Sequence, residues 1–258
     1  MRPVIITYHA VDTGRSPLCI APSLFREHLD GILAHGWNVV TVGQLAEALR
    51  AGSLPDRSIA LTFDDGFASV ADTATPELVA RGMVATVFCV AGHLGGVNDW
   101  PTDRPGGYRA ALAAPQALRD LAAAGIEIGA HGHAHAPLVA TEAGLLRREL
   151  IDARSSLEQA FGASVDSLAY PYGAHPSAAA ASIVRRTYRA ACGTTLARVG
   201  AEDDIFDLPR IDAHYLRRLD LLERLLVGRL DGYLLLRRVA ARARRTVRKD
   251  YLPSAQPE

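Results

Sequence analysis

The sequence predicts an α/β fold built as a (β/α) barrel with a helical extension at its C-terminal end. Three observations point there. Short β-branched runs alternate with stretches of helical period, the pattern of a parallel sheet wrapped by helices. Several runs are apolar nearly throughout, as in Met83–Val90 (MVATVFCV), which strands buried on both faces require. Seven or eight such units in about 210 of the 258 residues suit a barrel better than an open sheet, although periodicity alone leaves closure undecided.

The strand-like runs are Pro3–Tyr8, Asn38–Val42, Ser58–Phe63, Val84–Val90, Ile126–Ala130, Ser167–Tyr170, Arg189–Gly193 and Leu208–Ala213. Helical stretches separate most of them. Pro22 opens one that runs to His35 and stops at Gly36, the usual asymmetry of helix ends. Gln44–Ala51 stops at Gly52, Thr75–Arg81 at Gly82 and Pro115–Ala124 at Gly125. The clearest helix is Thr141–Phe161, where Leu146, Leu150, Ala153, Leu157, Ala160 and Phe161 recur at three and four with charges opposite. Gly92–Gly107 is rich in Gly, Pro, Asn and Asp and is expected to be a long surface loop, a kind that often carries function. There is no internal repeat. From Leu219 the pattern is helical, which divides the chain into a barrel domain, 1–218, and an extension, 219–258.

Composition narrows the class. Apolar residues make up 49%, enough for a packed core. Basic and acidic residues number 28 each, so no global charge draws the chain to nucleic acid, and none is expected as a partner. Cys19, Cys89 and Cys192 are scattered and form no C-x-x-C pair, as in a reducing compartment. The opening MRPVIITYHAV lacks the apolar core and cleavage site of a signal peptide, and no run is long enough to span a bilayer, so the expected location is cytoplasmic. Arg237–Lys249 holds seven basic residues and no acidic one, beside Leu234–Leu236 and Val239. It reads either as a solvated or packed helix, or as a peripheral membrane contact through residues 234–249.

The chemistry gathers at strand ends, where barrel active sites lie. Ser58–Phe63 runs into Asp64, Asp65 and Gly66. Adjacent side chains on a strand point opposite ways, so both carboxylates face one site only if the strand ends there. Two buried carboxylates repel, and a divalent cation relieves the repulsion, one Asp binding it and the other staying ionised as a base. An Asp pair capping the next helix is the bland alternative. Ile126–Ala130 runs likewise into His131, His133 and His135, three of only nine histidines. If the chain turns helically, His131 and His135 share a face; if it stays extended, His131 and His133 do. One carboxylate and two imidazoles leave an open position, the pattern of a catalytic zinc site. A third strand ends at Pro171–Tyr172–Gly173, a tight turn able to aim a backbone N–H at a reacting oxygen.

The ordered set TFDDG (62–66), EIGAHGHAH (127–135) and AYPYG (169–173) resembles the polysaccharide deacetylases of the NodB-homology, or carbohydrate esterase 4, family, over about residues 3 to 215. ITYHAV ahead of TFDDG looks like the branch that includes poly-N-acetylglucosamine deacetylases. The resemblance implies a deformed (β/α) barrel, one divalent metal (usually zinc, with cobalt, nickel and manganese as alternatives) and removal of N- or O-acetyl groups from sugars. By position, Asp65, His131 and His135 match the family's metal ligands, Asp64 its base, and Tyr172 with Pro171 its oxyanion or substrate segment. The general acid is a histidine: His9, following the first strand as in the poly-N-acetylglucosamine branch, or His214 near the barrel's end.

Two positions depart from the pattern. Gly132 stands where the family usually has Ser or Thr, and Ala169 where it often has the Arg that orients the base; Arg210 is the candidate replacement from another strand end. The expected partner is an N-acetylated glycan or glycan precursor. Hydrolysis of a non-sugar amide or ester, and a catalytically degenerate sugar-binding module, are the alternative functions.

Overall fold

The computed structural model describes residues 1–100, 107–139, 142–174 and 176–247, with side chains through residue 240. Part of the expected Gly92–Gly107 loop, Thr141 at the expected helix start, His175, and Arg248 and Lys249 of the basic run lie outside the described residues.

The strands in chain order are β1 (Val4–Tyr8), β2 (Ala10–Val11), β3 (Cys19–Ile20), β4 (Asn38–Val40), β5 (Ser58–Phe63), β6 (Thr86–Cys89), β7 (Glu127–Ala130), β8 (Ser167–Ala169), β9 (Ala190–Cys192) and β10 (Ile211–Asp212). The helices are α1 (Pro22–Ala34), α2 (Val42–Arg50), α3 (Thr75–Val79), α4 (Pro115–Ala123), α5 (Ala143–Arg147), α6 (Ala153–Phe161), α7 (Ala178–Thr187), α8 (Leu219–Leu226) and α9 (Asp231–Val247). The main sheet is parallel, in the order β10-β1-β5-β6-β7-β8-β9. Its deformation is a fork at β5. One side of β5 pairs with β1 along its length, while the other pairs first with β4 and then with β6. Closure is thin: Leu208 bridges to Cys192 at the end of β9, and three residues later Ile211 pairs with β1. The segment Leu208–Asp212 thus joins the two edges.

Strand alternation sets the two faces. Ile59, Leu61 and Phe63 of β5 pack in the large core under the helices. Ala60 faces the barrel interior with Ile5, Phe88, Ala169, Ala190 and Cys192, mostly small side chains. Asp64 continues the inward row of Ala60 and Thr62.

Local signals account for most helix ends. Pro22 and Pro115 open α1 and α4. Thr41 and Gln44 form a capping box, so α2 begins at Val42, two residues before the expected Gln44. The expected Thr141–Phe161 helix is two helices joined through one π turn, Arg148–Asp152, with the Glu142 side chain capping the start. The expectation that its charges face outward fails at Glu149, which is fully buried. Helix α7 was not foreseen; its buried stripe is short, Ala180, Ile183 and Val184 in an Ala-rich run, and Ser177 caps it. Leu222, Leu225, Leu226, Leu230 and Leu234 carry the C-terminal helices into the same core as the barrel, and the Trp37 indole donates to the Leu226 carbonyl at 3.1 Å. No described helix is long and apolar enough to cross a membrane.

Candidate metal and catalytic centre

Among the described residues, four non-glycine positions have left-handed backbone, and three of them, Asp65 (φ 71°), His135 (φ 56°) and Tyr172 (φ 58°), lie in the motifs singled out above. Such conformations cost free energy and concentrate at functional sites. At Asp65 the reason is geometric. The strand ends at Phe63, and the left-handed turn at Asp65 and Gly66 (φ 73°) swings the second carboxylate to the side of the first. That answers how adjacent aspartates serve one site.

Asp65, His131 and His135 come together, all buried. The Nε2 atoms of the two histidines are 3.2 Å apart, and Asp65 Oδ1 lies 3.5 Å from one and 3.4 Å from the other. A tetrahedral ion with bonds of about 2.0–2.1 Å requires its ligand atoms to be about 3.3 Å apart, so this donor set fits one. The His131 Nδ1–H donates to the Ala169 carbonyl at 2.9 Å, leaving Nε2 as the lone-pair nitrogen that faces the cluster. Burial, opposed by Asp64 and aided by His135, lowers the His131 pKa to about 4. It is therefore neutral near pH 7, the ligating form, and its contact with Asp65 is not an ion pair. His135 is held differently. Its Nδ1 has no hydrogen-bond partner among the described residues, but its ring stacks on Trp100 (4.8 Å between centroids) and meets Tyr172 edge-on (4.5 Å). For Asp65, burial raises the carboxyl pKa, but the hydrogen bond and charge of His135, then His9 and His131, outweigh it and hold the group below its ordinary range.

Asp64 has a different partner. Arg210 grips it with two parallel bonds, Nη1 to Oδ1 at 2.7 Å and Nη2 to Oδ2 at 2.9 Å, both groups buried. Burial pushes the Asp64 carboxyl up; Arg210 and then His131 pull it down further, so it stays ionised. Arg210 sits on the closing segment, donates Nε–H to the Gly193 carbonyl at 2.8 Å and lies over the Phe88 ring. Arg210, the residue expected to orient the base, thus lies in direct contact with Asp64.

The other expected residues are placed as follows. His9 follows β1, whose register sets Tyr8 beside Phe63, so His9 stands next to Asp64; its charge acts on both aspartates. His214 is exposed, just after β10, with its N–H accepted by Asp212. Tyr172 is on the rim, 40% exposed, and Pro171 is buried beneath Gly132. His133 turns away from the pair. Its carbonyl accepts from the Gly92 N–H at 2.8 Å, and its ring lies against Gly92.

Two residues escaped the sequence reading. Trp100, from the expected surface loop, is buried against His135. Glu149 accepts from three backbone N–H groups of the histidine loop: His133 at 2.9 Å, Ala134 at 3.0 Å and Ala136 at 3.3 Å. A Cβ on Gly132 would come within 2.5 Å of Glu149 Oε2, and Gly132 has φ 82°. The absent hydroxyl at position 132 is thus accompanied by a buried carboxyl group that fixes the same loop. The signal was present: Glu149 lies three residues after Leu146 and four before Ala153, on their buried face.

A forked parallel (β/α) barrel of this kind is the fold of carbohydrate deacetylases of the NodB type. The chain belongs to the polysaccharide deacetylase family, whose profile matches residues 51–191 and so includes all three motifs but neither His9 nor Arg210. YxkH of Bacillus subtilis (strain 168), provisionally named a polysaccharide deacetylase, is 22% identical over 208 residues, covering 80% of this chain and 70% of that protein. The fold is shared with IcaB from Ammonifex degensii (TM-score 0.72, 22% identity, 88% of this chain and 96% of that one). It is shared too with the Streptococcus pyogenes deacetylase PplD, solved with acetate (TM-score 0.71, 21% identity, 82% and 92%).

Proposed function

We propose that this carbohydrate deacetylase is metal-dependent and removes acetyl groups from N-acetylated sugars, with zinc as its first candidate ion. The observation that carries the reading is the mutual spacing of the three ligand atoms, 3.2 to 3.5 Å, beside an aspartate kept ionised by arginine. An N₂O donor set suits zinc, with cobalt, nickel and manganese as alternatives. When bound, a divalent ion lowers the pKa of water and polarises the acetyl carbonyl.

The remaining work falls to the chain. Asp65, His131 and His135 hold the ion. Asp64 takes a proton from the attacking water; Arg210 engages both its oxygens, yet each keeps a second lone pair to accept it. The backbone N–H of Tyr172, fixed by its left-handed turn, donates to the developing oxyanion. His9 hands a proton to the departing nitrogen, since an amide nitrogen leaves badly as an anion; His214 is the alternative donor.

The test is acetate release from a panel of N-acetylated oligosaccharides and acetylated xylan, with zinc or cobalt added. Asp64→Asn is expected to abolish release while still binding metal, and His131→Ala to lose the metal as well. Near-wild-type release by Asp64→Asn overturns the assignment of the base. Bound metal without release on any substrate points to another amide or ester, and absence of metal binding points to a sugar-binding module.

A further inference from the structure

Helix α9 is amphipathic the wrong way round for a helix that only packs. Leu230, just before it, and Leu234 within it are buried against the barrel. On the side away from the body, Leu235 is 49% exposed, Leu236 71% and Val239 59%. Other large apolar side chains exposed among the described residues do not gather in this way on one helical face. Leu235 and Val239 are four apart in the sequence, with Leu236 beside them, so the 3.6-residue period sets them on one stripe.

Positive charge accompanies that stripe. In the sequence, Arg237–Lys249 holds seven basic residues and no acidic one, and the exposed Arg238 stands beside Val239. Arg237 is anchored over the rings of Tyr215 (4.8 Å) and Tyr233 (5.7 Å). Without these seven residues the chain carries 21 basic against 28 acidic groups, a net charge of −7, so the zero overall charge conceals a polarised molecule. An outward apolar stripe on a helix whose sequence is rich in arginine, a side chain long enough to reach phosphate, suits a helix lying in a bilayer interface.

We propose that the outward face of α9 docks the protein on an anionic lipid surface. The occupant follows from charge complementarity. A second copy of this chain would bring the same seven cations against themselves, whereas phosphodiester headgroups neutralise them and the acyl region takes Leu235, Leu236 and Val239. The helix is also suitably aimed. It starts at Asp231, paired with Arg2 and Arg198 near the start of β1, and by Arg237 it has reached Tyr215, just beyond β10. It therefore runs toward the end of the barrel where the aspartates and histidines lie, and its seat on a membrane would bring that rim near the surface. The inference is independent of the proposed metal chemistry.

The experiment is co-sedimentation of the full-length chain with extruded vesicles, one set of phosphatidylcholine and one an equimolar mixture with phosphatidylglycerol. Binding to the mixed vesicles, weakened by added salt, is expected, with little binding to phosphatidylcholine. The double variant Leu236→Glu, Val239→Glu is expected to lower the partition at least about tenfold, and Arg238→Ala about fivefold, the usual worth of one arginine near an anionic surface. Both changes are on exposed positions away from the catalytic centre, and an unchanged circular dichroism spectrum verifies the fold. Failure to bind the mixed vesicles at low salt overturns the proposal. So does equal binding by the double variant, or self-association that the double variant abolishes while vesicles have no effect.

Discussion

Replacing Glu149 by Ala tests whether the histidine loop is held from behind. The side chain is fully buried and satisfies three backbone N–H groups at 2.9, 3.0 and 3.3 Å. Each donor left without a partner costs about 1–3 kcal/mol when buried. The loop residues concerned are only half-buried, and the space left by the side chain admits water, so the lower end applies and the loop loses roughly 3 kcal/mol. Part of that loss falls on the metal site, because the same loop sets the distance between the His131 and His135 Nε2 atoms. Removing a group that orients metal ligands typically weakens metal binding 10–100-fold. The expected outcome is a zinc Kd raised by about that factor, measured by competition with a chromophoric chelator, and a lower urea midpoint for the metal-free protein. Glu149→Gln should weaken binding in the same direction, since its amide N–H₂ faces donors rather than acceptors. A destabilised protein whose zinc Kd stays within about twofold of wild type would refute the reasoning, because the loop would then be dispensable for ligand geometry.

Two further outcomes follow from ionisation. Arg210→Lys keeps a cation but loses the bidentate grip on Asp64, so the Asp64 pKa should rise and the acid limb of the kcat/KM profile should move to higher pH; an unmoved acid limb would mean that Asp64 is not the base. His131 and His28 are both buried with pKa values lowered to about 4, by burial first in each case. The unfolded chain therefore binds more protons between about pH 6.5 and 4, and stability is lost as pH falls through that window, on the order of 3 kcal/mol per histidine. Urea midpoints of the metal-free protein across the window should show this, with His28→Gln removing about half of the dependence; the same slope in the variant would place the loss elsewhere.

The barrel and its motifs were legible in the sequence because both rest on local rules. Buried strands must be apolar, helices need stops, and the ligand residues sit at strand ends that those stops define. The strand ends alone set Asp64, Asp65, His131 and His135 on one rim. Closure of the sheet was not legible, since it hangs on one bridge at Leu208 and a two-residue strand, Ile211–Asp212, rather than on a long apolar strand. The sequence leaves the histidine geometry open between two pairings, and a left-handed residue at His135 with a carboxyl group from the helical segment that follows decides it. Glu149 was misjudged because a charged residue beside arginines on a helix resembles a solvent face. Trp100 was missed because nothing in a loop's composition says which of its residues turns inward.

The closing segment has a temporal consequence. Asp64 and the residue that keeps it ionised are 146 positions apart, and Arg210 sits on the stretch that joins the two sheet edges. A chain emerging from the ribosome exposes its acids and imidazoles long before that stretch exists. Until Leu208–Asp212 docks, Asp64 lacks its guanidinium partner inside the barrel. The paired state of Asp64 is thereby a reporter of completed folding, gained in the same event that shuts the barrel.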